Sequence, residues 1–170
     1  MSREPQTVQW YALYTRPRFE SKIQEEIGLM NHECYLPMRT VFHQWSDRIK
    51  KVREPLFAGY VFVRTNLRYK AQLLQIHGVV RFLSTEGKPE TIPLQEIDRI
   101  KLIEENGKDI QTEGFYASGD HVKVKKGIFE GLEGILIRRV NQRPRFLIRL
   151  PLLKQVISVD ISMDDLLRMS

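Results

Sequence analysis

The sequence predicts an α+β protein in two parts. Residues 8–105 form an α/β sandwich with a mixed or antiparallel sheet flanked by helices, residues 106–117 are a linker, and residues 118–170 are a small β-barrel. Three observations carry this expectation. Along the first hundred residues, apolar positions switch repeatedly between strand-like and helical spacing. Residues 106–117, NGKDIQTEGFYA, keep neither period and contain Asn-Gly and Glu-Gly breaks. The remainder holds only short β-branched runs divided by glycine and proline, the pattern of a small barrel.

VQWYALY at 8–14 is rich in aromatic and branched side chains and reads as a strand. Pro17 is placed to open a helix. Phe19, Ile23, Ile27 and Met30 recur at helical spacing, and Asn31 is its stop. ECYLPM at 33–38 is a short strand. Thr40–Trp45 and Ile49–Arg53 pair as a hairpin around the turn-prone Ser46-Asp47. PLFAGYVFV at 55–63 is the most apolar run of the chain and reads as a central strand. A second helix is expected over 67–76, with Leu67, Ala71, Leu74 and either Leu73 or Ile76 turned inward and Gly78 ending it. VVRFLS at 79–84 is another strand, Gly87-Lys88-Pro89 a turn, and Leu94, Ile97, Ile100 and Ile103 mark a third helix. In the second part, HVKVK (121–125), GILIRRV (134–140), RFLIRL (145–150) and QVISVDI (155–161) are strands, separated by Asn141-Gln142-Arg143-Pro144 and by Pro151.

The 170 residues are 42% hydrophobic and 28% charged, so a packed core is within reach. The formal charge is +6, which fits either a solvated basic surface or an anionic partner such as nucleic acid. Residues 8–105 hold 15 basic and 12 acidic residues and 118–170 hold 10 and 6, so no single tail carries the excess. The single cysteine, Cys34, excludes an intramolecular disulfide and fits a reducing compartment. The N-terminus lacks an apolar signal core and no run approaches the ~20 apolar residues of a membrane helix. The expectation is a soluble cytoplasmic protein without a membrane partner. His32, His43, His77 and His121 are scattered without metal-ligand spacing, and neither a phosphate loop nor a nucleophile elbow is present. No catalytic residue, metal or cofactor is therefore expected.

Three segments, taken in order, resemble the NusG family of transcription elongation factors: WYALYTRPRFESKI, LFAGYVFV, and GDHVKVKKGIFEGLEGIL, the last similar to the start of a KOW motif. The resemblance spans residues 8–170. It implies an N-terminal domain that docks on the clamp helices of RNA polymerase, a C-terminal SH3-like KOW barrel that recruits a small-subunit ribosomal protein or Rho, and a monomer that suppresses pausing or termination. Ala58 stands where the family usually has proline, and the opening and EPLF run look more like the specialised paralogues of the RfaH type. Those are operon-specific antiterminators, often of surface-polysaccharide operons. An RNA-binding or ribosome-associated KOW protein is the alternative reading.

Two readings stand side by side at each candidate site. Tyr60 and Phe62 alternate with Val61 and Val63, so one face of the strand is aromatic. The run is either a fully buried strand or, as the resemblance implies, an aromatic face lining a depression that binds polymerase together with Phe82, Ile97 and Ile100. Gly59 serves geometry: a bulge or a close approach. Arg16, Arg18 and Lys22 are either a solvated face or, by resemblance, contacts to the non-template DNA strand. Arg48, Lys50, Lys51 and Arg53, with His43 and Trp45, are either a soluble hairpin edge or a nucleic-acid grip. Lys70, Ala71 and Gln72 fall where specialised paralogues touch the opposite side of the polymerase cleft, without the threonine-rich motif used there. Gly127, Gly131 and Gly134 supply turn conformations, and Phe129 among them packs in the barrel or faces a partner. The β-branched strands with Pro144 and Pro151 favour a barrel over a helical alternative.

Overall fold

The computed structural model describes residues 7–113, 119–137, 144–150 and 153–169. The end of the expected strand at 138–140, the Asn141-Gln142-Arg143 turn and Pro151 lie outside the described residues. The chain divides into two compact units: residues up to Pro37 with Phe57–Ile97, and Met38–Leu56 with the chain from Asp98 onward.

The first unit is built on β1 (Gln9–Thr15), α1 (Glu20–Leu29) and β2 (Glu33–Tyr35). The second unit then takes the hairpin β3 (Met38–Gln44) and β4 (Ile49–Pro55). The chain returns with β5 (Tyr60–Thr65), a 3₁₀ turn at Leu67–Tyr69, α2 (Lys70–Leu74), β6 (Val79–Phe82), the short strands β7 (Ser84–Thr85), β8 (Lys88–Pro89) and β9 (Thr91–Ile92), and α3 (Leu94–Asn106), whose residues from Asp98 onward count to the second unit. Strands β2, β5, β1 and β6 lie in that order, with β9 also on β1, and every pairing is antiparallel. Of the two expected sheet types, antiparallel is the one formed.

Local chemistry explains the breaks. Asn31 closes α1 at φ +61, a left-handed conformation that asparagine tolerates. Phe57–Tyr60 is a β-turn, with the Tyr60 N–H donating to the Phe57 carbonyl at 3.1 Å and Gly59 at φ +84 in the position that demands glycine. Ala58 takes the preceding turn position, which proline suits equally. Gly78, at φ +97, has no room for a side chain, since a Cβ there would meet the Phe19 ring at 2.5 Å. The second helix is shorter than expected and buries Leu73, with Ile76 buried just beyond its end, while Ala71 and Leu74 are exposed and Leu67, before it, is half-buried. The inward face follows Leu73 because one turn of helix after a 3₁₀ turn covers a single row of the core.

In the second unit, β10 (Gln111–Glu113), β11 (Asp120–Val124), β12 (Glu133–Ile137), β13 (Arg145–Leu150), β14 (Gln155–Asp160) and β15 (Leu166–Arg168) follow. They form one antiparallel sheet in the order β10-β14-β13-β12-β11-β15. Among the described residues no pairing between β10 and β15 closes this sheet. Ile135, Ile137, Leu147 and Val156 share one face and cluster in its core, while Leu136, Phe146, Ile148 and Ile157 on the other face are buried as well. Strand β10 falls inside the segment expected to be a linker. Among the described residues no helix is long and apolar enough to cross a membrane.

Candidate functional site

The strand β5 lies between β1 and β2, with Tyr60 opposite Tyr14, Phe62 opposite Ala12 and Tyr35, and Val61 opposite Leu13. Directly opposed residues share a face. Tyr60, Phe62, Tyr14 and Tyr35 therefore lie together, as alternation requires. Phe82 pairs with Leu13 and so lies on the other face, with Val61. The structure does not bring Phe82 to the aromatic face.

Both faces of β5 are covered. Val61 and Val63 are 0% exposed, Phe62 1%, Phe82 3%, Ile97 0% and Ile100 1%. Phe62 stacks on Tyr35 at 6.1 Å and meets Phe57 edge-on at 6.3 Å. The expectation that Phe62, Phe82, Ile97 and Ile100 line an open depression is thus corrected: all four are core. The apolar run had two covered sides, and neighbours on both sides of a strand are invisible in its own sequence.

What remains accessible at this strand is Tyr60 with two residues that the sequence reading missed. Tyr60 is half-buried, 5.5 Å from the half-buried Tyr14 ring, and the exposed Arg81 guanidinium lies 5.5 Å from that ring's centre. Tyr14 and Arg81 oppose one another across β1 and β6. The signal for Tyr14 was present in β1, where alternation sets it on the same face as Trp10 and Ala12. Gly59 is held against this cluster. Its carbonyl accepts from Thr15 N–H at 2.8 Å and its N–H donates to the buried Glu20 carboxylate at 2.8 Å.

Arg16, Arg18 and Lys22 are exposed around the β1–α1 turn, and among the described residues none has a carboxylate partner. Arg18 sits at φ +69 and the Arg16 N–H donates to Gly78 O at 2.8 Å, which fixes where the turn leaves the sheet. Phe19 packs edge-on against the exposed His77 at 5.1 Å. Lys70 is half-buried, with Ala71 and Gln72 exposed beside it.

The hairpin divides along its length. At its base, Arg39 pairs with Glu54 at 2.8 Å and Arg53 with Glu104 at 3.8 Å. At its tip, Arg48, Lys50 and Lys51 are exposed without a carboxylate partner among the described residues. Lys50 lies 5.6 Å from the Trp45 ring centre, and the Trp45 N–H donates to Arg48 O at 2.8 Å to close the turn. Phe42, 69% exposed, stands opposite Lys51, and Ile49, also 69% exposed, stands opposite Gln44. This apolar tip was not singled out from the sequence, although alternation along β3 and β4 would have found it.

The glycine turn after β11 behaves as its residues require. Gly127 and Gly131 have φ near +89 and +88, and a Cβ at Gly134 would come 2.3 Å from Leu147 O. Of the two readings of Phe129, the structure shows core, at 8% exposure, and presents Ile128 at 61% instead. Among the described residues no group of three or more His, Cys, Asp and Glu could hold a metal.

Burial pushes the Cys34 thiol from its usual 9.0 up to about 12, because the low-dielectric surroundings disfavour the thiolate. Native protein at pH 8 is expected to react with an alkylating thiol reagent far more slowly than urea-unfolded protein. Equal rates would refute the burial. The sign for stability follows: this group's contribution is complete below pH 9.0 and is lost as pH rises toward about 12.

Residues 8–101 match the family model described as transcription termination factor NusG. The chain is 26% identical over 144 residues to the transcription termination/antitermination protein NusG of Lactococcus lactis subsp. lactis, covering 73% of this chain and 74% of that protein. It is 23% identical over 148 residues to the corresponding protein of Borreliella burgdorferi, covering 75% and 80%. A solved structure of Thermotoga maritima NusG, described for its domain interaction, superposes with a TM-score of 0.63 at 20% identity, covering 96% of this chain and 98% of that one. That last likeness speaks for the fold.

Proposed function

Because the chain belongs to the NusG family and is a transcription termination/antitermination factor of that kind, we propose that it acts by binding the elongating RNA polymerase on its clamp helices and holding the enzyme out of the pause-prone state. The observation that carries this reading is the Tyr60–Tyr14 pair with Arg81 beside it, an accessible aromatic and cationic cluster across the neighbouring strands β5, β1 and β6, within the residues that match the family model. Tyrosine and arginine are favoured anchors of protein interfaces. Phe62, Phe82, Ile97 and Ile100 are buried and do not touch the partner. Arg16, Arg18 and Lys22 meet the non-template DNA strand, and Arg48, Lys50 and Lys51 with Trp45 meet nucleic acid at the hairpin. Such contacts are electrostatic and largely sequence-blind.

The specialised, operon-specific role rests on Ala58 and on the EPLF run, and the C-terminal sheet recruits a ribosomal protein or Rho. Differential affinity for the active over the paused polymerase is what makes binding an antipausing activity.

The test is affinity for assembled elongation complexes. Tyr60→Ala is expected to weaken binding about 30-fold, the scale of losing one hot spot. Charge reversal at Arg16 and Lys22 is expected to flatten the dependence of log affinity on log salt by about 1.4, as two single-strand phosphate contacts would. Wild-type affinity of Tyr60→Ala sinks the docking surface, and an unchanged salt slope sinks the DNA contact. RNA binding by the protein without polymerase would favour the ribosome-associated reading instead.

A further inference from the structure

The turn that delivers Tyr60 to its strand is held from both sides. Gly59, buried at φ +84, precedes Tyr60 in the Phe57–Tyr60 turn. Its carbonyl accepts from the Thr15 N–H and its N–H donates to Glu20 Oε1, each at 2.8 Å. Glu20 is the first residue of α1, 39 positions away in the chain, and is 4% exposed. An acid in the first turn of a helix ordinarily faces water or serves its own helix end. Here no side chain caps α1 at Phe19, and the Glu20 carboxylate reaches to a turn of the sheet instead.

We propose that Glu20 is a positioning residue of the docking surface: its carboxylate fixes the Gly59 peptide and, through it, the place of the Tyr60 ring beside Tyr14. This role rests on the reading of Tyr60 as a polymerase contact. Among the described residues the Gly59 N–H is the one donor to this carboxylate. Burying an acid against a single neutral donor is unfavourable, so Glu20 is a poor choice for stability alone. What its bond secures is one peptide, because a buried N–H requires an acceptor and Glu20 supplies it.

That peptide governs two rings. Tyr60 follows Gly59 directly and stands opposite Tyr14 on β1. Gly59 also lies close against the second ring, since a Cβ there would come 3.4 Å from Tyr14 Cε2 and 3.5 Å from Thr15 O. A turn released from Glu20 therefore shifts Tyr60 against Tyr14, the pair that lies 5.5 Å apart with Arg81 beside it. Val61 and Val63, further along β5, keep their pairing with Leu13 and Tyr11 of β1, so the strand stays while its first ring moves.

Reach and charge separate this role from a general contribution to the fold. Glu20→Gln keeps an acceptor oxygen at the same reach without the charge, and Glu20→Asp keeps the charge one methylene short of Gly59. In hydrogen exchange of the full-length protein, read by NMR, the Gly59 amide is expected to stay protected in Glu20→Gln and to exchange at least about tenfold faster in Glu20→Asp, with Val61 and Val63 unchanged in both. Affinity for assembled elongation complexes is expected to stay within about threefold of wild type in Glu20→Gln and to fall about tenfold in Glu20→Asp, the scale of one unmade buried hydrogen bond. In a Tyr60→Ala background Glu20→Asp is expected to cause no further loss, because Glu20 acts through that ring. A full additional loss in that background overturns the role, as do equal losses in the two Glu20 variants, wild-type binding by Glu20→Asp, or acceleration of Val61 and Val63 together with Gly59. Wild-type binding by Tyr60→Ala is the separate failure: it sinks the docking surface, and the role of Glu20 with it, whatever the protection of Gly59.

Discussion

Phe62→Ala is expected to lower the stability of the first unit by about 3–5 kcal/mol, the cost of emptying a fully buried aromatic site. Phe62 is 1% exposed in the middle of the sheet, between Tyr35 and Phe57, with Ala12 opposite it on β1. An alanine there leaves a void between these rings. Tyr60→Ala removes a half-buried ring at the strand's start and is expected to cost under about 1.5 kcal/mol, because water already reaches that site. Urea titration followed by Trp10 fluorescence, with Trp45 replaced by phenylalanine in every variant, reads both. Equal midpoints for the two variants would mean that Phe62 is not core. This separation also makes the polymerase-binding test interpretable, since loss of binding in Tyr60→Ala cannot then be ascribed to unfolding.

Arg145→Met is the second large effect, expected to cost about 3–5 kcal/mol in the C-terminal sheet. Methionine fills much of the same volume but removes the guanidinium bonds to Asp160, to Asp109 and to the Ser158 hydroxyl and carbonyl, with Ser158 0% exposed. Arg145→Lys restores one charge but not the fork that serves Ser158 and two acids at once, and is expected to recover less than half of the loss. Circular dichroism during thermal unfolding reports both. A methionine variant as stable as wild type would show the buried arginine to be dispensable.

The local choices along this chain were legible in its residues. Alternation and helical spacing placed β1, α1, the hairpin and α3, while of the strand expected over 55–63 only the part from Tyr60 onward is β5, since Phe57–Tyr60 is a turn. At Asn31, Gly59, Gly78 and Gly127 the backbone takes left-handed angles on residues that tolerate φ > 0, whereas Arg18, Glu86 and Lys154 take such angles with no mark in the sequence. The Ser46-Asp47 turn was legible for the same kind of reason. The candidate cations were legible too, since a Lys or Arg without a local acid is exposed almost by default.

What the tertiary structure decided was which faces are free. PLFAGYVFV carries no mark that tells a one-sided strand from a two-sided one, and coverage of the Tyr60–Phe62 face converts Phe62 from a docking residue into core. Phe82 was assigned to the wrong face because antiparallel register, not sequence distance, sets which residues of two strands lie together. Residues 111–113 read as a linker since Gln, Thr and Glu have no strand signature; they become β10 because the edge of β14 offers unpaired backbone groups and Arg145 holds Asp109 beside it. Periodicity is a property of a segment and survives in one dimension. Burial on the second side, register and edge occupancy depend on pairs of segments distant in the chain, so only the folded structure determines them.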